Sequence, residues 1–182
     1  MPRVLLLTGT CGSGKSTVAQ LLADQHGWAR VSEDDVWRAH FHRERGAFGS
    51  AEHRRKRALV RAQVMAAVSR ALLAAMDVAL DATVHEATAD SLGEYAALLE
   101  QAGTCWSLRV LYPRLDVAVA RDAARSDWSA GAERVEALWR KFTRQRFAPE
   151  AFLDTSEDTP EQSVERVLAS LPDPGDTPRR GV

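Results

Sequence analysis

Cysteine is almost missing from this chain of 182 residues: Cys11 and Cys105 are the only two. Two thiols without metal-ligand spacing exclude a disulfide framework and a zinc site, and predict reduced side chains in a cytosolic setting. Charge of one sign is missing as well. Lys and Arg number 24 against 25 Asp and Glu, a formal net charge of -1, so no overall field draws the protein to nucleic acid or to an anionic membrane, and any basic site must be local. Long apolar runs are absent too. Val4-Leu5-Leu6-Leu7 is far too short to cross a bilayer and leads straight into a glycine-rich turn, so it reads as neither signal peptide nor anchor. No internal repeat is visible. These exclusions predict a cytoplasmic protein with no membrane partner. With 45% hydrophobic residues the chain can bury an ordinary core. The expectation is one domain over residues 1–171 and a disordered tail, 172–182, rich in Pro, Gly, Asp and Arg.

What the chain does contain is an alternation of short apolar runs with helical patterns. Residues 3–8 are a continuous apolar run closed by Gly9, the pattern of a strand buried on both faces of a parallel sheet. Val18, Leu21 and Leu22 then recur at helical spacing up to Gly27, a stop signal. Residues 28–32 give a second strand that runs into Glu33-Asp34-Asp35. The span 51–76 carries Val60, Val64, Val68, Leu72 and Met76 four apart, with Arg54, Arg57 and Arg61 on another face, and predicts one long helix with a basic side. Val78-Ala79-Leu80-Asp81 is a third strand with an acid at its carboxyl end.

Ser91 and Glu94 read as a capping box and Gly103 as a stop, which brackets a further helix. Residues 106–112 make a fourth strand, ended by Pro113. Helices are predicted over 115–125 and 133–147, separated by a polar loop at 126–131. The stripe Val135, Leu138, Trp139 and Phe142 on the second of these belongs to a core rather than to a cofactor box. Phe152-Leu153-Asp154 is a weak fifth strand, and Thr159-Pro160-Glu161-Gln162 opens the last helix. The order predicts a three-layer α/β fold of the P-loop NTPase kind. A central parallel sheet of about five strands has helices on both faces, a small helical lid, and ligands at the carboxyl ends of the strands.

The chemistry concentrates at that edge. Gly9-Thr10-Cys11-Gly12-Ser13-Gly14-Lys15-Ser16 is a complete phosphate-binding loop between a strand and a helix. Glycines at Gly9, Gly12 and Gly14 let successive backbone N–H groups point at a phosphate chain, with the helix N-terminus behind them. Lys15 then reaches the terminal phosphates and the Ser16 hydroxyl binds Mg²⁺, with Thr17 beside it, so ATP and Mg²⁺ are the expected ligands. Cys11 is incidental, because backbone does the binding. Asp81, at the end of the third strand, is placed to orient the magnesium's water shell.

One of Asp34 and Asp35 is expected to act as general base toward an acceptor hydroxyl, the other to cap a helix starting near Val36. Arg38 is a candidate for holding an anionic group. Arg121 and Arg125, four apart on a helix, form a candidate clamp on the transferring phosphate, against a solvated face shared with Arg114 and Asp122. His85 and Glu86, just after Asp81, are candidates for contact with the acceptor.

With these residues placed, the chain resembles the small P-loop kinases of the AAA_33 type, the group around bacteriophage-type polynucleotide 5′-kinases, zeta-toxin-like kinases and chloramphenicol phosphotransferases. The likeness spans roughly the first 170 residues in element order. In that family a loop like residues 9–16 binds ATP and an Asp after the second strand is the base, a role that by resemblance falls to Asp34. The polynucleotide kinases continue their acidic pair as Asp-Asp-Tyr-Arg, whereas this chain has Asp34-Asp35-Val36-Trp37-Arg38, one residue longer. Asp35 therefore keeps the step to Arg38, and Asp34 keeps the step from the strand. The family's acid after the third strand matches Asp81-Ala82-Thr83, and its lid arginine matches Arg121 or Arg125.

Three functions compete at this level. The first is phosphoryl transfer from ATP to a hydroxyl of a small molecule, favoured by the near-zero net charge. The second is a kinase of polynucleotide 5′ ends, favoured by Arg38, Arg43, Arg45 and the basic face of Arg54, Arg57 and Arg61. The third is a nucleotide switch without an acceptor, which would not need the acid cluster after the second strand.

Overall fold

A computed structural model describes residues 1–42, 44, 46–47, 49–84, 91–126, 128–144 and 147–172. Its centre is a sheet of five strands, β1 (Arg3–Gly9), β2 (Ala29–Ser32), β3 (Val78–Asp81), β4 (Cys105–Leu111) and β5 (Phe152–Leu153), in the order β2-β3-β1-β4-β5. All four strand pairings are parallel. β1 is apolar throughout because it is covered twice: Leu5 and Leu7 face one layer, Val4 and Leu6 the other, and all four are buried.

Leu5 and Leu7 meet Val18 and Leu22 of α1 (Lys15–His26) and Val164 and Val167 of α7 (Pro160–Ala169). Val4 and Leu6 meet the opposite layer. There the four-residue repeat of α3 (Ala51–Leu73) delivers Val60, Val64 and Val68, each fully buried and worth about 1.5–3 kcal/mol of transfer free energy. Trp37 of α2 (Glu33–Phe41), Tyr95 and Leu99 of α4 (Ser91–Gln101), and Phe142 of α6 (Ala132–Phe142) complete this layer. α5 (Leu115–Ala123) precedes α6. The parallel five-stranded sheet with helices on both faces is the three-layer α/β architecture that the alternation of elements predicts.

Register places the chemistry. Leu7 pairs with Asp81, and Asp81 with Ser32, so the glycine loop after β1, the acid ending β3 and the acidic run after β2 emerge side by side on one edge.

Strand ends shift by a residue in β2, β4 and β5, and the helices depart further. α2 begins at Glu33 rather than near Val36, because Ser32 is its N-cap and accepts a hydrogen bond from Asp35 N. α3 stops at Leu73, so Met76 lies beyond the helix and outside its stripe. α5 stops at Ala123, short of Arg125. α6 stops at Phe142, not at residue 147: the Thr143 hydroxyl bonds back to Arg140 O at 2.7 Å, and Phe147 folds in against Phe142 and Phe152. The aromatic stripe of α6 is core, with Trp139 stacked on Tyr112 at 4.8 Å and its Nε1 donating to Pro113 O. Pro172, expected in the tail, accepts from Arg3 Nη1 at 3.0 Å through its carbonyl. Residues 173–182, Arg43, Arg45, His85 and Glu86 lie outside the described residues.

Candidate active site

The phosphate loop is shaped by close approaches. Gly12 has φ 75, and a Cβ there would stand 2.0 Å from Ala118 O of α5, so only glycine lets the loop rest on that helix. Gly14 is the N-cap of α1 at φ 91, with no side-chain cap bond and nothing within 4 Å of where a Cβ would be. α1 therefore begins without a side-chain cap at its N-cap position. Thr10 is buried and its hydroxyl donates to Val135 O of α6 at 3.2 Å. Cys11 is a partly buried free thiol. Ser13 Oγ is enclosed, without a hydrogen-bond partner among the described residues.

Behind the loop, Asp81 is 4% exposed and meets the start of α1. Burial pushes its carboxyl above the ordinary range, the Lys15 charge and a hydrogen bond with the Ser16 side chain oppose that shift, and Asp34 adds to it. Lys15 is itself buried, while Ser16 and Thr17 are exposed. Among the described residues no cluster of three His, Cys, Asp or Glu side chains could cage a metal. Magnesium does not require one, since it keeps several waters and takes one or two protein oxygens beside the phosphates. The uncapped helix start, the unpartnered Ser13 hydroxyl and the Asp81–Ser16 oxygen pair fit a magnesium–nucleotide complex.

The two aspartates after β2 have different surroundings. Asp35 is held by Arg30 Nη1 at 2.8 Å and Arg38 Nη1 at 3.1 Å. It is therefore not the helix cap that its place before Val36 suggested; Ser32 caps, and Asp35 pairs. Arg38 gives one nitrogen to this pair, and its side chain is 49% exposed. Asp34 is exposed, and its charge acts on Asp81 at the end of β3. Sequence reasoning missed Arg30, although its alternate position in β2, two residues before Ser32, puts it within reach of the first turn of α2.

The lid arginines are also unlike one another. Arg121 Nη2 donates to Thr155 O at 2.8 Å and to Asp158 O at 3.3 Å, tying α5 to the loop between β5 and α7. Arg125 lies beyond α5, exposed, its guanidinium carbon 5.8 Å from the Trp128 ring centroid. Asp122, read from sequence as part of a solvated face, is 1% exposed. Its Oδ2 accepts from Ser129 Oγ and Ala130 N, both at 2.8 Å, and from Gly131 N at 3.1 Å. A carboxylate seven residues before a Ser-Ala-Gly segment is the available signal.

Arg54, Arg57 and Arg61 do not form one solvated basic face. Arg54 donates to Gly49 O, whereas Arg57 and the buried Arg61 turn inward to Glu94 of α4.

The family model AAA_33, described as an AAA domain, matches residues 4–149. Among curated proteins none matches. Solved structures do. The tunicamycin resistance protein of Deinococcus radiodurans superposes with a TM-score of 0.66 at 17% identity, covering 93% of this chain and 95% of its own. A sugar kinase from a Janibacter species gives 0.62 at 20% identity, covering 93% and 94%. The APS kinase of Mycobacterium tuberculosis, solved with AMPPNP and APS, gives 0.60 at 16% identity, covering 93% and 96%. At these identities the likeness is one of fold. No helix among the described residues is long and apolar enough to cross a membrane.

Proposed function

We propose that this chain, which belongs to the AAA_33 family, transfers the γ-phosphoryl group of ATP to a hydroxyl of a small-molecule acceptor. The observation that carries the reading is the convergence of Lys15, Ser16, Asp81 and Asp34 on one sheet edge. A binding module needs the first three; a carboxylate beside them, facing the same edge and not a helix cap, serves a transfer reaction.

In this reading the backbone N–H groups of residues 9–17 hold the phosphate chain and Lys15 neutralises the terminal phosphates. Mg²⁺, when bound by Ser16 and through the shell around Asp81, supplies charge neutralisation at the β- and γ-oxygens. Asp34 orients the acceptor hydroxyl and takes its proton as the new O–P bond forms and the bond from the γ-phosphorus to the leaving oxygen of ADP breaks. Arg125, from beyond α5, meets the charge that spreads over the transferring group. The inward turn of Arg57 and Arg61 supports a small acceptor over a polynucleotide, whose backbone needs exposed cations along its path.

Nucleotide consumption over pools of sugars, nucleosides, antibiotics and oligonucleotides tests this directly, with Lys15→Ala as the control. At least one small-molecule pool should raise turnover tenfold or more over the no-acceptor background in the wild type and not in the variant. Stimulation by oligonucleotides alone would replace the small-molecule reading, and no stimulation by any pool would favour a switch.

A further inference from the structure

Asp122 puts an acid in the last turn of α5, the end of a helix where the backbone dipole favours a cation. It is nevertheless 1% exposed. Its Oδ2 accepts from Ser129 Oγ and Ala130 N at 2.8 Å and from Gly131 N at 3.1 Å, while Oδ1 has no partner among the described residues. All of its hydrogen bonding is therefore spent on residues 129–131. Gly131 is the N-cap of α6 and makes no side-chain cap bond of its own. Asp122 thus brings a carboxylate from α5 to the N-terminus of α6, where a negative charge is favourable and bonds to a charged acceptor are strong.

Both ends of this link touch the phosphate loop. On the α5 side, a Cβ at Gly12 would stand 2.0 Å from Ala118 O and 3.1 Å from the backbone N of Asp122 itself. On the α6 side, Val135 N bonds to Gly131 O at 3.0 Å, and Val135 O accepts the buried Thr10 hydroxyl at 3.2 Å. Thr10 and Gly12, two residues apart, are anchored on different helices. The tilt of the peptide units between them follows the placement of one helix on the other, and a phosphate cradle depends on where those N–H groups point.

We infer that Asp122 is a positioning residue for the nucleotide phosphates: by holding the start of α6 against α5 it sets the orientation of the amides in the phosphate loop. Its action runs through Gly131, Val135 and Thr10. The inference rests on the nucleotide-binding half of the reading above and not on the acceptor.

Isothermal titration of the full chain with a non-hydrolysable ATP analogue and Mg²⁺ tests this route, at a temperature where near-ultraviolet circular dichroism shows each variant folded. Asp122→Ala, which releases all three donors, should weaken binding about tenfold, and Asp122→Asn, which keeps an acceptor oxygen, should recover most of it. Thr10→Val keeps the shape, removes the hydroxyl and should also weaken binding by about tenfold; the two changes together should fall within about threefold of the stronger single variant, because both break one route. Inorganic tripolyphosphate, used as a competitor, should lose affinity by the same factors as the analogue.

Unchanged analogue affinity in Thr10→Val overturns the route, even where Asp122→Ala does not fold. Losses that add in the double variant, or a lowered Tm with unaltered affinity in Asp122→Ala, reduce Asp122 to a structural brace and overturn it too. So does a loss seen with the analogue and not with tripolyphosphate. If the wild type binds the analogue but turns over no acceptor, the phosphotransferase reading fails and these titrations still decide the role of Asp122. A wild type that binds no nucleotide overturns both.

Discussion

Replacing Asp34 and Asp35 by Asn in parallel should produce two opposite phenotypes. Asn keeps the shape and loses the basicity. At Asp34 the loss is of a proton acceptor, worth about 10²–10⁴ in rate, or about 3–5 kcal/mol of barrier, with nucleotide affinity almost unchanged. At Asp35 the loss is structural. Two ion pairs, to Arg30 at 2.8 Å and Arg38 at 3.1 Å, lose their charge, and the Asp35 side chain is 42% exposed. Solvent screens such pairs, so the two together are worth about 1 kcal/mol. The Ser32 cap on α2 stays in place. For a chain of this size that loss lowers Tm by about 2–4 °C, while kcat should stay within about threefold. Differential scanning calorimetry beside single-turnover phosphoryl transfer, with an acceptor from the pool screen, measures both. A large rate loss at Asp35 with none at Asp34 would reverse the assignment, and no rate loss at either would remove the base from this segment.

Three further outcomes follow from the same geometry. Gly12→Ala should destabilise by about 3–4 kcal/mol, combining the left-handed backbone with a collision against Ala118 O, whereas Gly14→Ala, with open space around it, should cost about 1–2 kcal/mol; thermal unfolding of the two variants compares them. Arg125→Ala should lower kcat tenfold or more with nucleotide Kd nearly unchanged, and Arg121→Ala should lower Tm instead, since its guanidinium holds Thr155 O and Asp158 O; kinetics beside isothermal titration separates them. Activity should vanish in chelator and return with Mg²⁺, and Ser16→Ala should raise the Mg²⁺ concentration needed for half-maximal rate.

The elements that sequence made legible are those whose signal is local. β1 and the loop after it announce themselves through a double-sided apolar run and glycines at required positions, and β3 was read to the residue. The Thr159–Gln162 capping box likewise needs only four neighbours to form, and it forms. What is not legible depends on which side chains the fold turns toward one another. β2 ends at Ser32 as expected, but that the Ser32 hydroxyl also caps α2, and that Asp35 pairs with Arg30, shows only once the strand and helix meet. Arg57 and Arg61 share a helical face in any projection, but whether that face meets water or α4 is set by Glu94, more than thirty residues later. Asp122 looked like surface for the same reason: its three donors lie in the following loop.

The phosphate loop and α6 are fastened together. Thr10 bonds to Val135 O, Gly12 rests on Ala118 O, and from α5 Asp122 grips the segment that leads into α6. A hinge for closing over ATP therefore cannot lie between the loop and the first turn of α6, because those parts travel as one piece. The amide protons of Ala130 and Gly131, bonded to Asp122, should register a filled loop by slower exchange with solvent.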